Sequence, residues 1–264
     1  MMINKPVIGV AAAVVLIAAG TWYYLQSRPA TPPAAATMPP PARPAESTEP
    51  GIQHPVSEGE GASKAPLPTL ADSDPVINEA LGQLVGAAAM KDYWLPDGVV
   101  RRIVVTVDNL PRPKAAVQKR PTGTVAGSLM VNGDELHATL DPRNFVRYQP
   151  WVAVIDRLDM RQLAAAYLHF YPLLQQAYQD LGYPNGYFND RLVQVIDHLL
   201  ATPQPAQPIA LVRPNVMYTY ADPGLESRSA GQKLLIRMGP DNTAVIKAKL
   251  TELRTAITAA APKR

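Results

Sequence analysis

Residues 7–25, from Val7 to Leu25, run for nineteen positions without a charge, with Thr21 and two tyrosines as the main polar groups. Few folds are open to a chain that starts this way. As a helix the run is about 28 Å long, close to the roughly 30 Å hydrocarbon core of a bilayer. Pro6 precedes it at a first-turn position, where a missing N–H costs nothing. Trp22, Tyr23 and Tyr24 cluster at its far end, where amphipathic rings favour the membrane–water interface. The reading is an uncleaved single-pass anchor with a cytoplasmic N-terminus, Lys5 lying on that side and Arg28 beyond. A cleaved signal peptide competes with it, and a buried soluble helix is the third reading. Against cleavage, Ala18-Ala19-Gly20 is followed at once by bulky aromatics, and Ala11-Ala12-Ala13 lies inside the apolar run.

Residues 29–68 carry 11 of the 28 prolines, including Pro32-Pro33 and Pro39-Pro40-Pro41, and almost no large apolar side chain. Such a stretch cannot bury enough surface to offset the entropy of ordering its backbone. It is expected to be an extended, solvated stalk reaching between about 35 Å as a coil and about 120 Å as polyproline II. A PxxP ligand, as in Pro29-Ala30-Thr31-Pro32, is the less favoured alternative. The expected layout is therefore an anchor over residues 1–28, a Pro/Ala-rich disordered linker over 29–66, and a folded domain over 67–264. The absence of cysteine excludes disulfides, thiol nucleophiles, Cys-ligated zinc and iron–sulfur clusters, and a net charge of only +3 is too weak to imply nucleic acid.

Within the folded part, Ser73-Asp74-Pro75 reads as a cap followed by proline and opens a helix to about Lys91, with Gly82 and Gly86 placed for close approach of another element. Asp97 is expected to cap a helix ending at Asn109, although its β-branched content also permits a strand from Arg102 to Val107. Residues 124–140 suggest a β-hairpin around Asn132-Gly133. Asp141-Pro142 opens a helix to about Leu158, bent or interrupted near Pro150. Asp159 caps the next one to Leu181, kinked at Pro172. A helix over residues 189–200, an extended stretch over 209–220, and helices over 225–237 and 241–259 complete a mainly α (α+β) domain with a minor antiparallel sheet.

Several segments carry a resemblance: Val105-Thr106-Val107-Asp108-Asn109-Leu110, Arg147-Tyr148, the run from Tyr171 to Tyr178, Leu181-Gly182-Tyr183, Phe188-Asn189-Asp190-Arg191 and the run from Gly231 to Gly239. Together they resemble a bacterial envelope family, the domain-of-unknown-function family numbered 3014. The resemblance implies a Gram-negative inner-membrane setting with the domain in the periplasm. It brings no activity, cofactor or catalytic residue.

Catalytic motifs are absent: there is no phosphate-binding loop, dinucleotide fingerprint, HExxH or Gly-x-Ser-x-Gly. His169 and His198 fall on different helices and are read as ordinary histidines, so no metal and no cofactor is expected. Polar groups that could line a cleft or bind a ligand are Asp108, Asn109, Arg147, Asn189, Asp190, Lys233 and Arg237. Each has a plainer structural reading. Asp108 would pair with an arginine at a helix end stopped by Pro111. Asn189 or Asp190 would cap a helix. Lys233 and Arg237 would complement a helix C-terminus. The basic residues from Arg101 to Arg120 read as a solvated loop before an anionic-partner site, and Tyr167, Tyr171 and Tyr178 as a core stripe before a sugar-binding or protein-binding face.

The expected function is a membrane-tethered periplasmic binding or scaffold module with an envelope protein or glycan as partner. The alternative is an envelope hydrolase of glycan or peptide using Asp108, Asp190 or Asp197, which requires those carboxylates to converge in one pocket.

Overall fold

The computed structural model describes residues 51–56, 66–134 and 136–259. The expected anchor, and the expected linker apart from residues 51–56 and Pro66, lie outside them. Among the described residues no helix is long and apolar enough to cross a membrane. They form a mainly helical domain with a minor antiparallel component: nine α-helices and two two-residue hairpins.

The helix expected to run unbroken to Lys91 is two helices, α1 (Asp74–Val85) and α2 (Ala87–Tyr93). Gly86 separates them with φ 82°, a conformation that side chains disfavour. Gly86 is a hinge here rather than a contact surface, since a Cβ there would touch nothing. Helix α3 (Val99–Asn109) buries Val99, Val100, Ile103, Val104 and Val107, which settles the helix-or-strand choice. Packing against α1, α5 and α6 overrides the weak helix propensity of the β-branched residues. Helix α4 (Arg143–Asp156) continues through Pro150, and α5 (Met160–Asp180) through Pro172. Helix α6 (Phe188–Leu200) follows. The single helix expected over 225–237 is instead α7 (Pro223–Glu226) and α8 (Ala230–Met238).

Helix α9 (Pro240–Ala259) is the spine of the domain. Its buried Ile246, Leu250, Leu253 and Ile257 fall at steps of four, three and four, and it packs against α4, α5, α6 and α8. The turn into it depends on Gly239: φ is 87°, and a Cβ would stand 2.5 Å from the Phe145 ring. Strands β1 (Val131–Asn132) and β2 (Thr139–Leu140) form one hairpin. The extended stretch near residue 215 folds back as a second, β3 (Leu211–Val212) with β4 (Thr219–Tyr220). A bridge between Thr139 and Ala210 sets the two side by side. Together they enclose a small second core of Ala138, Leu140, Ile209, Leu211 and Tyr220 against Ile236 of α8.

Four residues depart from the solvated-stalk expectation. Residues 53–56 lie against the domain, with His54, Pro55 and Val56 half-buried and Val56 packed on the main core. The energetic argument for a solvated stretch considered the segment's own side chains; here its main chain finds partners on the domain.

Candidate functional site

The first turn of α6 organises the polar chemistry of the domain. Successive helical residues step by about 100° around the axis, so four in a row sample its whole circumference. Phe188 enters the core at 1% exposure. Asn189 is fully buried, accepts from the Tyr167 hydroxyl (2.9 Å) and donates its Nδ2 to the carbonyl of His54 (2.8 Å). The Asp190 carboxylate accepts the main-chain N–H groups of Gln53 (3.0 Å) and His54 (2.7 Å). Arg191 turns to Asp108. Tyr187, just before the helix, accepts the N–H of Val56 at 2.6 Å. The helix start is held by Gln175, whose side chain accepts the Phe188 N–H and donates to the Gly186 carbonyl.

Behind this rim stand tyrosines. Tyr167 meets Tyr171 edge-on at 5.7 Å, and Tyr171 meets Tyr187 at 5.6 Å. Burial pushes the Tyr167 and Tyr171 hydroxyls far above the usual phenol range, so they remain neutral hydrogen-bonding groups at any physiological pH. The expected stripe is thus partly core, as with buried Tyr171 and Tyr178, and partly the floor of a polar rim.

Asp108 is closed off. It is 1% exposed and lies near the C-terminal end of α3, where the helix dipole disfavours an anion. Three groups compensate: Arg112 (2.5 Å), Arg191 Nε (3.0 Å) and the Tyr183 hydroxyl (3.3 Å). Arg191 also donates to the Asp108 carbonyl. The Asp108 charge raises the pKa of Arg112. Asn109 only folds back onto the Val105 carbonyl.

The other candidates lie elsewhere. Arg147 gathers the carbonyls of Ala126, Gly127 and Ser128, pinning a loop to α4. Lys233 pairs with Glu226 at 3.0 Å. Arg237 lines a cavity of about 150 Å³ with Ser128, Arg213 and Tyr218, and hydrogen-bonds Tyr220, whose hydroxyl burial lifts to about 12. The seven candidates therefore do not share one cleft. Asn189 and Asp190 form one site, Asp108 forms a closed ion cluster beside it, and Arg147 binds the carbonyl of Ser128, a residue that lines the Arg237 cavity.

Convergence, which the hydrolase reading requires, is not found. Asp108 is sealed by arginines, Asp190 holds main chain, and Asp197 pairs with Arg254 on the surface at 2.6 Å. A second cavity, of about 70 Å³, is lined almost wholly by apolar side chains such as Leu81, Ile103 and Phe170. No carboxylate lines either cavity. The sequence reading missed a Ser–His contact, His198 Nε2 to Ser229 Oγ at 2.8 Å. It serves as a cap: Ser229 also accepts the Gln232 N–H, and the nearby N–H groups of Ala230 and Gly231 are taken by the carbonyls of Arg112 and Leu110. Within the basic stretch Arg102 is spent on structure, donating to the carbonyls of Asp97, Gln118 and Arg120, while Arg101, Lys114 and Lys119 are exposed. Among the described residues no group of three or more acidic or histidine side chains is arranged to hold a metal ion.

A family model described as a protein of unknown function (DUF3014) matches residues 99–254, more than half of the chain. The chain belongs to this family. No curated protein and no solved structure matches it. The DUF3014 stretch begins at the first residue of α3 and ends within α9, so it contains Asp108, Tyr187, Asn189, Asp190 and Arg191. Residues 51–56, which the rim receives, lie outside it.

Proposed function

We propose that this DUF3014 protein is a membrane-tethered binding module of the bacterial cell envelope. Its tether is the apolar run from Val7 to Leu25 in the inner membrane, with the N-terminus cytoplasmic. The helical domain faces the periplasm, where an envelope protein is its partner, and neither nucleic acid nor a cofactor has a part. One observation carries the binding role: the rim of Tyr187, Asn189 and Asp190 holds a bent chain segment without helix or strand structure through four hydrogen bonds. The carboxylates that could have served catalysis are engaged separately. Recognition through main-chain groups is a general route to peptide binding, since every peptide offers the same donors and acceptors.

Fractionation and protease accessibility of the full-length protein test the setting. The protein is expected to stay with the inner membrane after salt and alkaline washes. The domain should be cut by external protease only after the outer membrane is opened. Recovery of the intact chain in the soluble cytoplasmic fraction would exclude the proposal.

A further inference from the structure

The four hydrogen bonds between residues 53–56 and the domain all use main-chain atoms of the segment: the N–H of Gln53, His54 and Val56, and the carbonyl of His54. Gly51, Ile52 and Gln53 are exposed. Only Val56 packs into the main core. The receiving residues belong to the matched family stretch and the segment does not. The rim therefore grips the segment through its main chain, with His54, Pro55 and Val56 half-buried beside it, and it is part of a domain defined without them.

From this geometry we infer that the rim of Tyr187, Asn189 and Asp190 is an exchangeable peptide-binding site, which residues 53–56 occupy in cis in competition with a segment of a partner protein that bends in the same way. This deepens the binding-module reading and rests on it. The contacts define the ligand. Two successive residues must keep their N–H groups for the Asp190 carboxylate, so neither can be proline. The second of them presents its carbonyl to Asn189. The third position uses no N–H, which suits the proline found there, Pro55. The fourth gives its N–H to Tyr187 and a small β-branched side chain to the core, as Val56 does. The ligand class is thus an uncharged or basic peptide of the pattern X-X-Pro-Val/Ile, bent at its first two residues so that both N–H groups reach Asp190, with acidic residues disfavoured there.

Competition follows from the linkage. The segment and the rim belong to one chain, so the segment's effective concentration at the rim exceeds that of a free partner peptide in dilute solution. A partner peptide binds only to the fraction of molecules whose cis segment has left, which weakens its apparent affinity by that fraction.

The test uses the purified full-length protein in detergent and a fluorescent peptide of the sequence Pro-Gly-Ile-Gln-His-Pro-Val-Ser, read by anisotropy. The double variant Gln53→Pro/His54→Pro removes both N–H groups that Asp190 accepts. It should bind the probe at least tenfold more tightly than the unaltered protein, and adding Asp190→Ala to it should abolish that gain. Equal binding by the double variant and the unaltered protein, or binding that survives Asp190→Ala, would overturn the inference. If the double variant does not fold, hydrogen exchange on the unaltered protein decides. Excess free peptide must speed exchange at the amides of Gln53 and His54, and unchanged exchange means the segment is a fixed part of the fold. Because purified protein carries the test, a negative result removes the peptide site and leaves the membrane location to be judged by fractionation.

Discussion

Asp108 and Asp190 both depend on the first turn of α6, the one as the partner of Arg191 and the other as a member of that turn. Asp108 is buried, and its compensation comes from two arginines and a tyrosine hydroxyl. Asp190 is half-buried and takes its two donors from a peptide backbone. An anion surrounded by fixed cations belongs to the fold, because removing either side strands a charge. An anion satisfied by amide N–H groups can exchange one chain for another, or for water, at modest cost. The surroundings of a carboxylate, rather than the carboxylate itself, separate scaffold from binding surface.

The contrast can be broken at Asp108 first. Asp108→Ala leaves Arg112 and Arg191 facing each other without an anion and is expected to destabilise the domain by about 3 kcal/mol in denaturant titration. A loss below about 1 kcal/mol would show that the cluster is not structural. The two cations should differ: Arg191, with 20% of its side chain exposed, should cost about 2 kcal/mol on replacement by alanine, and Arg112, at 49%, under about 1 kcal/mol. Equal losses would refute the ranking by burial. Asp190→Ala should change global stability by less than about 1 kcal/mol, while hydrogen exchange at the Gln53 and His54 amides rises roughly tenfold or more. Full protection in the variant would mean that another group holds the segment.

The smallest effect is in pH dependence. Burial, aided by Arg191 and Arg228, depresses the pKa of His198. The unfolded chain then takes up the proton first as pH falls. The stability linked to His198 is therefore complete above the ordinary value of about 6.5 and declines as pH drops from there toward the lower folded value. Arg191→Ala should move the His198 titration, followed by ring proton shifts in NMR, back toward normal. An unmoved curve would separate the histidine from the cluster.

The two regions also differ in how far the sequence exposes them. Helical periodicity finds α3, α5, α6 and α9, and Asp159 caps α5 as expected, accepting the N–H of Arg161 and Gln162. Local chemistry misleads where a side chain is used at a distance. Asp74 reads as part of its own helix cap, yet its carboxylate accepts the N–H groups of Gly98 and Val99 and so caps α3, leaving Asp97 without that role. Gly86 reads as a contact residue and is a break, since backbone handedness is invisible in composition. Asp108 with an arginine is foreseeable from Arg112 four residues on; Arg191, 83 residues away, is not. The docked segment is the least legible of all. Its contacts use main-chain atoms, which every sequence has, so no choice of residues between Gly51 and Val56 announces them.

The position of that segment in the chain has a mechanical consequence. It precedes every helix of the domain, so any pull arriving from residues 1–50 loads the bonds at Tyr187, Asn189 and Asp190 before it reaches α1. Four hydrogen bonds yield long before a packed helix does. Their rupture frees residues 53–56 from the rim without opening any helix of the domain. In the proposed tethered arrangement, the rim would let go before the globule itself is strained.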